Sequence, residues 1–302
     1  MWVSFGVAAA SAMAIDLGVL HRKAHRISLK EALAESAGWI GLALAFNIWI
    51  YISMGHQAGL EFLTSYVVEK SLSIDNIFVF LLIFQGLAVP ARSQHKVLFY
   101  GIAGALVMRA IFVFAGVALL SRFHLALYVF GAILLLTAAR MLVPGGHKLQ
   151  PERNWLVRIA RRIVAVTPEF KGERFFVRTD GAWKATPLLL ALIAVEATDI
   201  VFAVDSVPAV LAITRDTFIA YSSNVFAILG LRALYFALAD LLPRFRFLRP
   251  GLAVILLFTG VKMLASQRID IPTGVSLGVI IGIMALMIAA SVLWPGKKRR
   301  GA

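Results

Sequence analysis

Residues 69–80 read EKSLSIDNIFVF and continue without a break into LLIFQGLA. The stretch is apolar enough to enter lipid, yet it holds Glu69, Lys70, Asp75 and Asn76 within eight residues. Of 302 residues, 60% are hydrophobic and only 15% charged, and the mean hydropathy is +0.85. Soluble domains are far less apolar. Cutting the chain at clusters of charge and turn residues leaves about nine apolar stretches, each able to cross a hydrocarbon layer roughly 30 Å thick. They lie near 3–20, 36–54, 62–87, 97–120, 124–143, 185–213, 218–242, 250–265 and 272–294. The expected fold is all-α: a polytopic membrane protein with about nine transmembrane helices.

The net charge of +14 comes from 30 lysines and arginines against 16 acids. These basic residues sort by side. With the 21–35 loop taken as cytoplasmic, alternate gaps hold Arg22, Lys23, Arg26 and Lys30, then Arg92 and Lys96, nine from Lys148 to Lys184, then Arg244, Arg246 and Arg249, and the tail Lys297 to Arg300. The opposite gaps hold only Arg122, Arg215 and Arg268. The bias predicts an outside N-terminus and an inside C-terminus, and it accounts for the basic charge without a nucleic-acid partner. The absence of cysteine excludes disulfides, thiolate metal sites and a cysteine nucleophile. No cleavable signal is expected, because the basic cluster follows the first apolar stretch.

The chain also matches itself. LLSRF at 119–123 recurs as LLPRF at 241–245, and TAARML at 137–142 recurs as TGVKML at 259–264, both at an offset of 122. Arg109 in VMRAIF corresponds to Arg232 in GLRALY at an offset of 123. Upstream, SIDNIF at 73–78 aligns with AVDSVP at 203–208, which pairs Asp75 with Asp205 and Glu69 with Asp199; a register pairing Glu69 with Glu196 competes. Each unit contains three spans, so the second enters from the opposite side, giving an inverted 3+3 repeat of the kind that binds substrate near the midplane. The chain divides into two leading helices at 1–61, a first repeat at 62–143, a basic cytoplasmic connector at 144–184, a second repeat at 185–265, and a final helix with a basic tail at 266–302. Within the connector, NWLVRIARRIVAV at 154–166 is amphipathic and suited to an anionic lipid surface. FFVRTDGAWKA at 175–185 predicts a hairpin around Asp180 and Gly181.

The intramembrane acids are Glu69 and Asp75 in the first repeat and Glu196, Asp199 and Asp205 in the second. Each mid-bilayer carboxylate costs about 3 kcal/mol on insertion scales, so five require neutralisation by protons, arginines or a bound cation. Arg109 and Arg232 fall near mid-span at equivalent positions and are expected to face the acids. Lys70, nearer the outer end, is expected to snorkel or pair with an acid. Glu69 to Asp75 and Asp199 to Asp205 are each separated by six residues, which on a straight helix means about 9 Å of rise and roughly 120° of rotation, so one straight helix does not aim both at one ion. Pro208 is expected to free the carbonyl of Val204 and bend or unwind the helix beside Asp205. Ser71, Ser73, Asn76, Thr198 and Ser206 add neutral oxygens, for a shared cavity or a vertical ladder of sites. Such donors suit Mg²⁺, Ca²⁺ or Mn²⁺. Asp16, followed by His21 and His25, marks either an entry or exit site or a solvated helix end.

EKSLSIDNIFVF, VEATDIVFAVDSVPAVLAITRD and SSNVFAILGLRALYF, preceded by AIDLGVLHRKAHRISLKEALAESAGWI, resemble the TerC/Alx family of integral membrane proteins, historically associated with tellurium resistance. The resemblance runs from about residue 10 to 265 in consistent order. It implies an architecture similar to LysE-like transporters, a bacterial cytoplasmic membrane location and export of manganese, with Glu69, Asp75, Glu196, Asp199 and Asp205 as the ion-handling set. Tellurite is an anion and a poor match for an acid-lined path. The leading expectation is a divalent cation exporter, Mn²⁺ favoured, exchanging its ion for protons; no fixed cofactor is implied. A membrane scaffold or metal sensor without flux is the alternative. An intramembrane aspartyl protease fits least, since the GxGD pattern is absent and five acids stand where two would serve.

Overall fold

A computed structural model describes residues 1–15, 29–142, 165–179, 182–238, 247–266, 269 and 271–294. Among the described residues, ten helices follow in chain order: α1 (Trp2–Ile15), α2 (Leu29–Met54), α3 (His56–Gly86), α4 (Ala91–Arg122), α5 (His124–Leu142), α6 (Pro187–Leu211), α7 (Thr217–Leu229), α8 (Leu231–Leu238), α9 (Leu248–Ala265) and α10 (Thr273–Leu293). Between α5 and α6, strands β1 (Phe176–Thr179) and β2 (Ala182–Ala185) pair antiparallel, Phe176 against Ala185 and Thr179 against Ala182, as the predicted hairpin requires. The amphipathic segment at 154–166 and Asp16 fall outside the described residues, apart from the last two positions of that segment.

Among the described residues, six helices are long and apolar enough to cross a membrane: 30–54, 91–122, 125–142, 187–211, 217–237 and 273–293. The protein is therefore an all-α polytopic membrane protein. Helix α3 spans 31 residues, about 46 Å of rise, and carries Glu61, Glu69, Lys70 and Asp75 along that length. Its burial pattern explains how they are tolerated. The outer surface presents Val107, Ile111, Leu136, Val201 and Leu286, whereas Glu69, Asn76, Arg109, Asp199 and Asn224 are buried. Polar groups turn inward and aliphatic groups face outward, the distribution a lipid solvent selects.

Local chemistry sets several helix ends. Gly55 separates α2 from α3 at φ 94°, a conformation open to glycine without strain. Thr186 caps α6 by accepting from the Leu188 amide at 3.2 Å, with Pro187 at the first helical position. The same hydroxyl donates to the Arg174 carbonyl at 2.7 Å, tying the helix start to the connector. Asp216 caps α7 through the Phe218 and Ile219 amides.

The helices of the two halves pack on each other reciprocally. Helix α3 lies along α7 and α4 along α6, while α5 runs along α9 and α3 touches α6. Two details differ from expectation. Helix α6 continues through Pro208 without unwinding, and the ladder resumes at once, the Ala212 amide donating to the Pro208 carbonyl at 2.9 Å. The discontinuity falls in the next span, at Gly230, between α7 and α8. A Cβ at Gly230 would stand 2.9 Å from Lys70 Nζ and 3.0 Å from Trp39 Cβ, so both side chains pack against the backbone at the break.

Candidate functional site

Helices α3, α4 and α6 bring their charges to one buried point. Arg109 of α4 donates through Nη1 to Glu69 of α3, and also to Ser206 Oγ of α6 at 2.8 Å. Its Nε lies 3.7 Å from Asp199 Oδ2, also on α6. Glu69 and Arg109 are fully buried and Asp199 nearly so. One guanidinium therefore holds two carboxylates, one from each half of the chain. A planar five-donor fork suits that task better than a lysine would. Polar capacity is left over: among the described residues, Glu69 Oε2, Ser73 Oγ, Asp199 Oδ2 and Arg109 Nε and Nη2 have no hydrogen-bond partner. Buried groups of this kind call for water, a proton or an ion.

Beside this cluster is a cavity of about 30 Å³, bounded by α3, α5, α6 and α9. Its oxygen-bearing walls are Asn76, Thr137, Asp205 and Ser206, and Leu72, Met141, Phe202 and Leu256 complete it. Thr137 Oγ1 donates to Asp205 Oδ1 at 2.6 Å. Ser206 belongs to both places, accepting from Arg109 while lining the cavity. A volume of this size exceeds the roughly 10–15 Å³ one water needs.

The four acids whose side chains are described do not share one cage. Among the described residues, no group of three or more His, Cys, Asp or Glu side chains is close enough to hold a metal ion. Glu69 and Asp199 sit on Arg109, Asp205 borders the cavity, and Glu196 lies against Gly104 of α4, whose absent side chain leaves room for the carboxylate. Asp75 is on α3, one residue before Asn76; its side chain lies outside the described residues. Thr198 donates back to the Ala194 carbonyl at 2.7 Å, and Arg232 is buried at the start of α8. Lys70 does not snorkel: its Nζ donates to the Ala227 carbonyl at 3.2 Å, near the end of α7 where carbonyls lose helical partners. Sequence reading missed Thr137 and Met141. Both fall inside the TAARML repeat block at i, i+4, the spacing that puts two side chains on one helical face.

The sequence pattern described as "Integral membrane protein TerC family" matches residues 54–300. A protein of Myxococcus xanthus, "Uncharacterized membrane protein STKORF319", is 48% identical over 97% of this chain and 92% of its own length. "Putative membrane-bound redox modulator Alx" of Escherichia coli (strain K12) is 45% identical over 100% of this chain and 97% of its own. An "Uncharacterized membrane protein" of Rickettsia bellii is 39% identical over 97% of both. No solved structure matches the chain significantly.

Proposed function

The chain belongs to the integral membrane protein TerC family, and from that premise we propose that it carries a divalent metal cation across the bacterial cytoplasmic membrane, exporting Mn²⁺ in exchange for protons. The observation that carries this reading is the cavity in which Asn76, Thr137, Asp205 and Ser206 converge beside the Arg109 cluster. Carboxylate, amide and hydroxyl oxygens are donors for hard divalent ions. Asp205 and Asn76 are the leading contacts for the ion. Asp75 and Ser73 belong to the same helix and Glu196 to the cytoplasmic half of α6, where they would serve the approach. Arg109 neutralises Glu69 and Asp199 in this arrangement, and Ser206 links that charge to the cavity wall. An arriving cation competes electrostatically with the guanidinium for the same acids, and departing cation charge is replaced by arginine or protons.

The reading includes about nine spans, an outside N-terminus, an inside C-terminus and an inverted 3+3 repeat. The reciprocal packing of α3 with α7 and α4 with α6, and of α5 with α9, supports the repeat, because a two-fold exchange of the halves maps the first pairing onto the second and the third onto itself. The name of the Escherichia coli relative raises a second reading, modulation of redox state. With no cysteine in the chain, thiol–disulfide exchange is not open to it, and an effect on redox state would follow indirectly from metal traffic.

The test is Mn²⁺ uptake into proteoliposomes holding the purified protein, with Asp205→Asn beside wild type. Flux that Asp205→Asn lowers at least about tenfold is expected for loss of a charged ligand. No wild-type flux, with Mn²⁺ still bound, would favour a sensor or scaffold. A pH-sensitive dye inside the vesicles reads the coupling: Mn²⁺ flux indifferent to an imposed pH gradient would remove protons from the mechanism.

A further inference from the structure

We infer that Met141 determines which divalent cations the cavity accepts, admitting Mn²⁺ and Cd²⁺ and discriminating against Ca²⁺ and Mg²⁺. The inference rests on the transport reading above and adds its selectivity. Met141 is buried on α5, one turn beyond Thr137, and both line the cavity that Asn76, Asp205 and Ser206 border from α3 and α6. A single thioether therefore shares a small space with four oxygen-bearing side chains.

The chemistry of the three ion classes then separates. Ca²⁺ takes six to eight oxygens, and the wall offers four oxygen-bearing side chains, so the thioether stands where that ion needs a further oxygen. Mg²⁺ gives up water reluctantly and demands near-ideal octahedral oxygen geometry. A thioether offers neither ion anything. Mn²⁺ accepts oxygen donors and tolerates a softer one, and Cd²⁺, softer still, gains from sulfur. Sulfur in a wall otherwise built for hard ions thus costs Ca²⁺ and Mg²⁺ a coordination position while leaving Mn²⁺ bound.

The test is Met141→Leu, a substitution of similar volume that membrane and soluble interiors tolerate. Mn²⁺ flux into proteoliposomes is measured against competing Ca²⁺, Mg²⁺ and Cd²⁺, and equilibrium Mn²⁺ and Cd²⁺ binding to detergent-solubilised protein gives a readout independent of flux. The expected result is a loss of Cd²⁺ competition by about tenfold, the scale on which one donor's contribution is felt, with Ca²⁺ competition unchanged or stronger. A packing role alone would shift all ions together. Wild-type Mn²⁺ flux with an unaltered Cd²⁺-to-Ca²⁺ ratio in Met141→Leu, by both readouts, would overturn the assignment to Met141 and leave the transport reading standing. No wild-type Mn²⁺ flux or binding would overturn both.

Discussion

Arg109 Nε stands 3.7 Å from Asp199 Oδ2 while its Nη1 holds Glu69 and Ser206, so a single side chain of the first half clasps both halves. Removing one partner of a buried ion pair costs about 3–5 kcal/mol, because the other charge stays buried and uncompensated. Arg109→Gln is expected to destabilise the fold by that order, read as a lower thermal unfolding midpoint in detergent. The double variant Arg109→Gln with Glu69→Gln should recover part of the loss. A midpoint unchanged in Arg109→Gln would mean that the acids are neutralised by protons and not by the guanidinium.

Thr137 fixes Asp205 by a 2.6 Å hydrogen bond across the α5–α6 contact. Thr137→Val keeps the shape and removes the donor. Hydrogen bonds to charged groups contribute about 1.5–3 kcal/mol, so Mn²⁺ affinity measured by competition should change by about tenfold or more, and Thr137→Ser should restore it. Equal affinities in Val and Ser variants would show that Asp205 is oriented by other contacts.

The acids were legible because lipid makes them conspicuous: a carboxylate mid-span is expensive enough that its presence alone marks it. Their six-residue spacing also foretold that Asp199 and Asp205 face different surroundings, one on Arg109 and one on the cavity. Thr137 and Met141 carried no such mark, since threonine and methionine are ordinary in apolar helices; only the packing of α5 beside α6 makes them cavity walls. The helix break was misjudged for a related reason. Pro208 is expected to bend or unwind α6; the helix does not unwind there, and the discontinuity is at Gly230, near which Lys70 reaches the Ala227 carbonyl. Local propensity identified a candidate breaker, and tertiary packing chose another.

Glu196 rests against Gly104, where a Cβ would fall on its carboxylate. The far end of a flexible side chain can move aside, so Gly104→Ala is expected to fold with a stability change below about 1 kcal/mol. The displaced acid would no longer occupy its place between α4 and α6. Mn²⁺ flux should then fall by about tenfold, close to the fall produced by Glu196→Gln, with no further fall when the two changes are combined, as expected for substitutions acting on one group. Full flux in Gly104→Ala would remove Glu196, in this position, from the ion path.

Helices α5 and α9 meet through two glycines. A Cβ at Gly260 would lie 3.2 Å from the Gly131 carbonyl, and one at Gly131 would lie 3.4 Å from the Gly260 carbonyl and 2.6 Å from Leu264 Cδ2. Backbones approach this closely at membrane helix contacts built from small residues, where van der Waals packing replaces the hydrophobic drive lost in lipid. Gly131→Leu is expected to wedge the pair apart at a cost of about 1–3 kcal/mol or more. Gly131→Ala meets mainly the mobile end of Leu264, so its cost should be smaller and coupled to that residue. A double-mutant cycle of Gly131→Ala with Leu264→Ala should show a coupling of about 0.5–3 kcal/mol in thermal or denaturant unfolding, the range for residues in contact. Additive effects would mean that Leu264 does not set the spacing, and that the two backbones themselves limit how closely α5 and α9 approach.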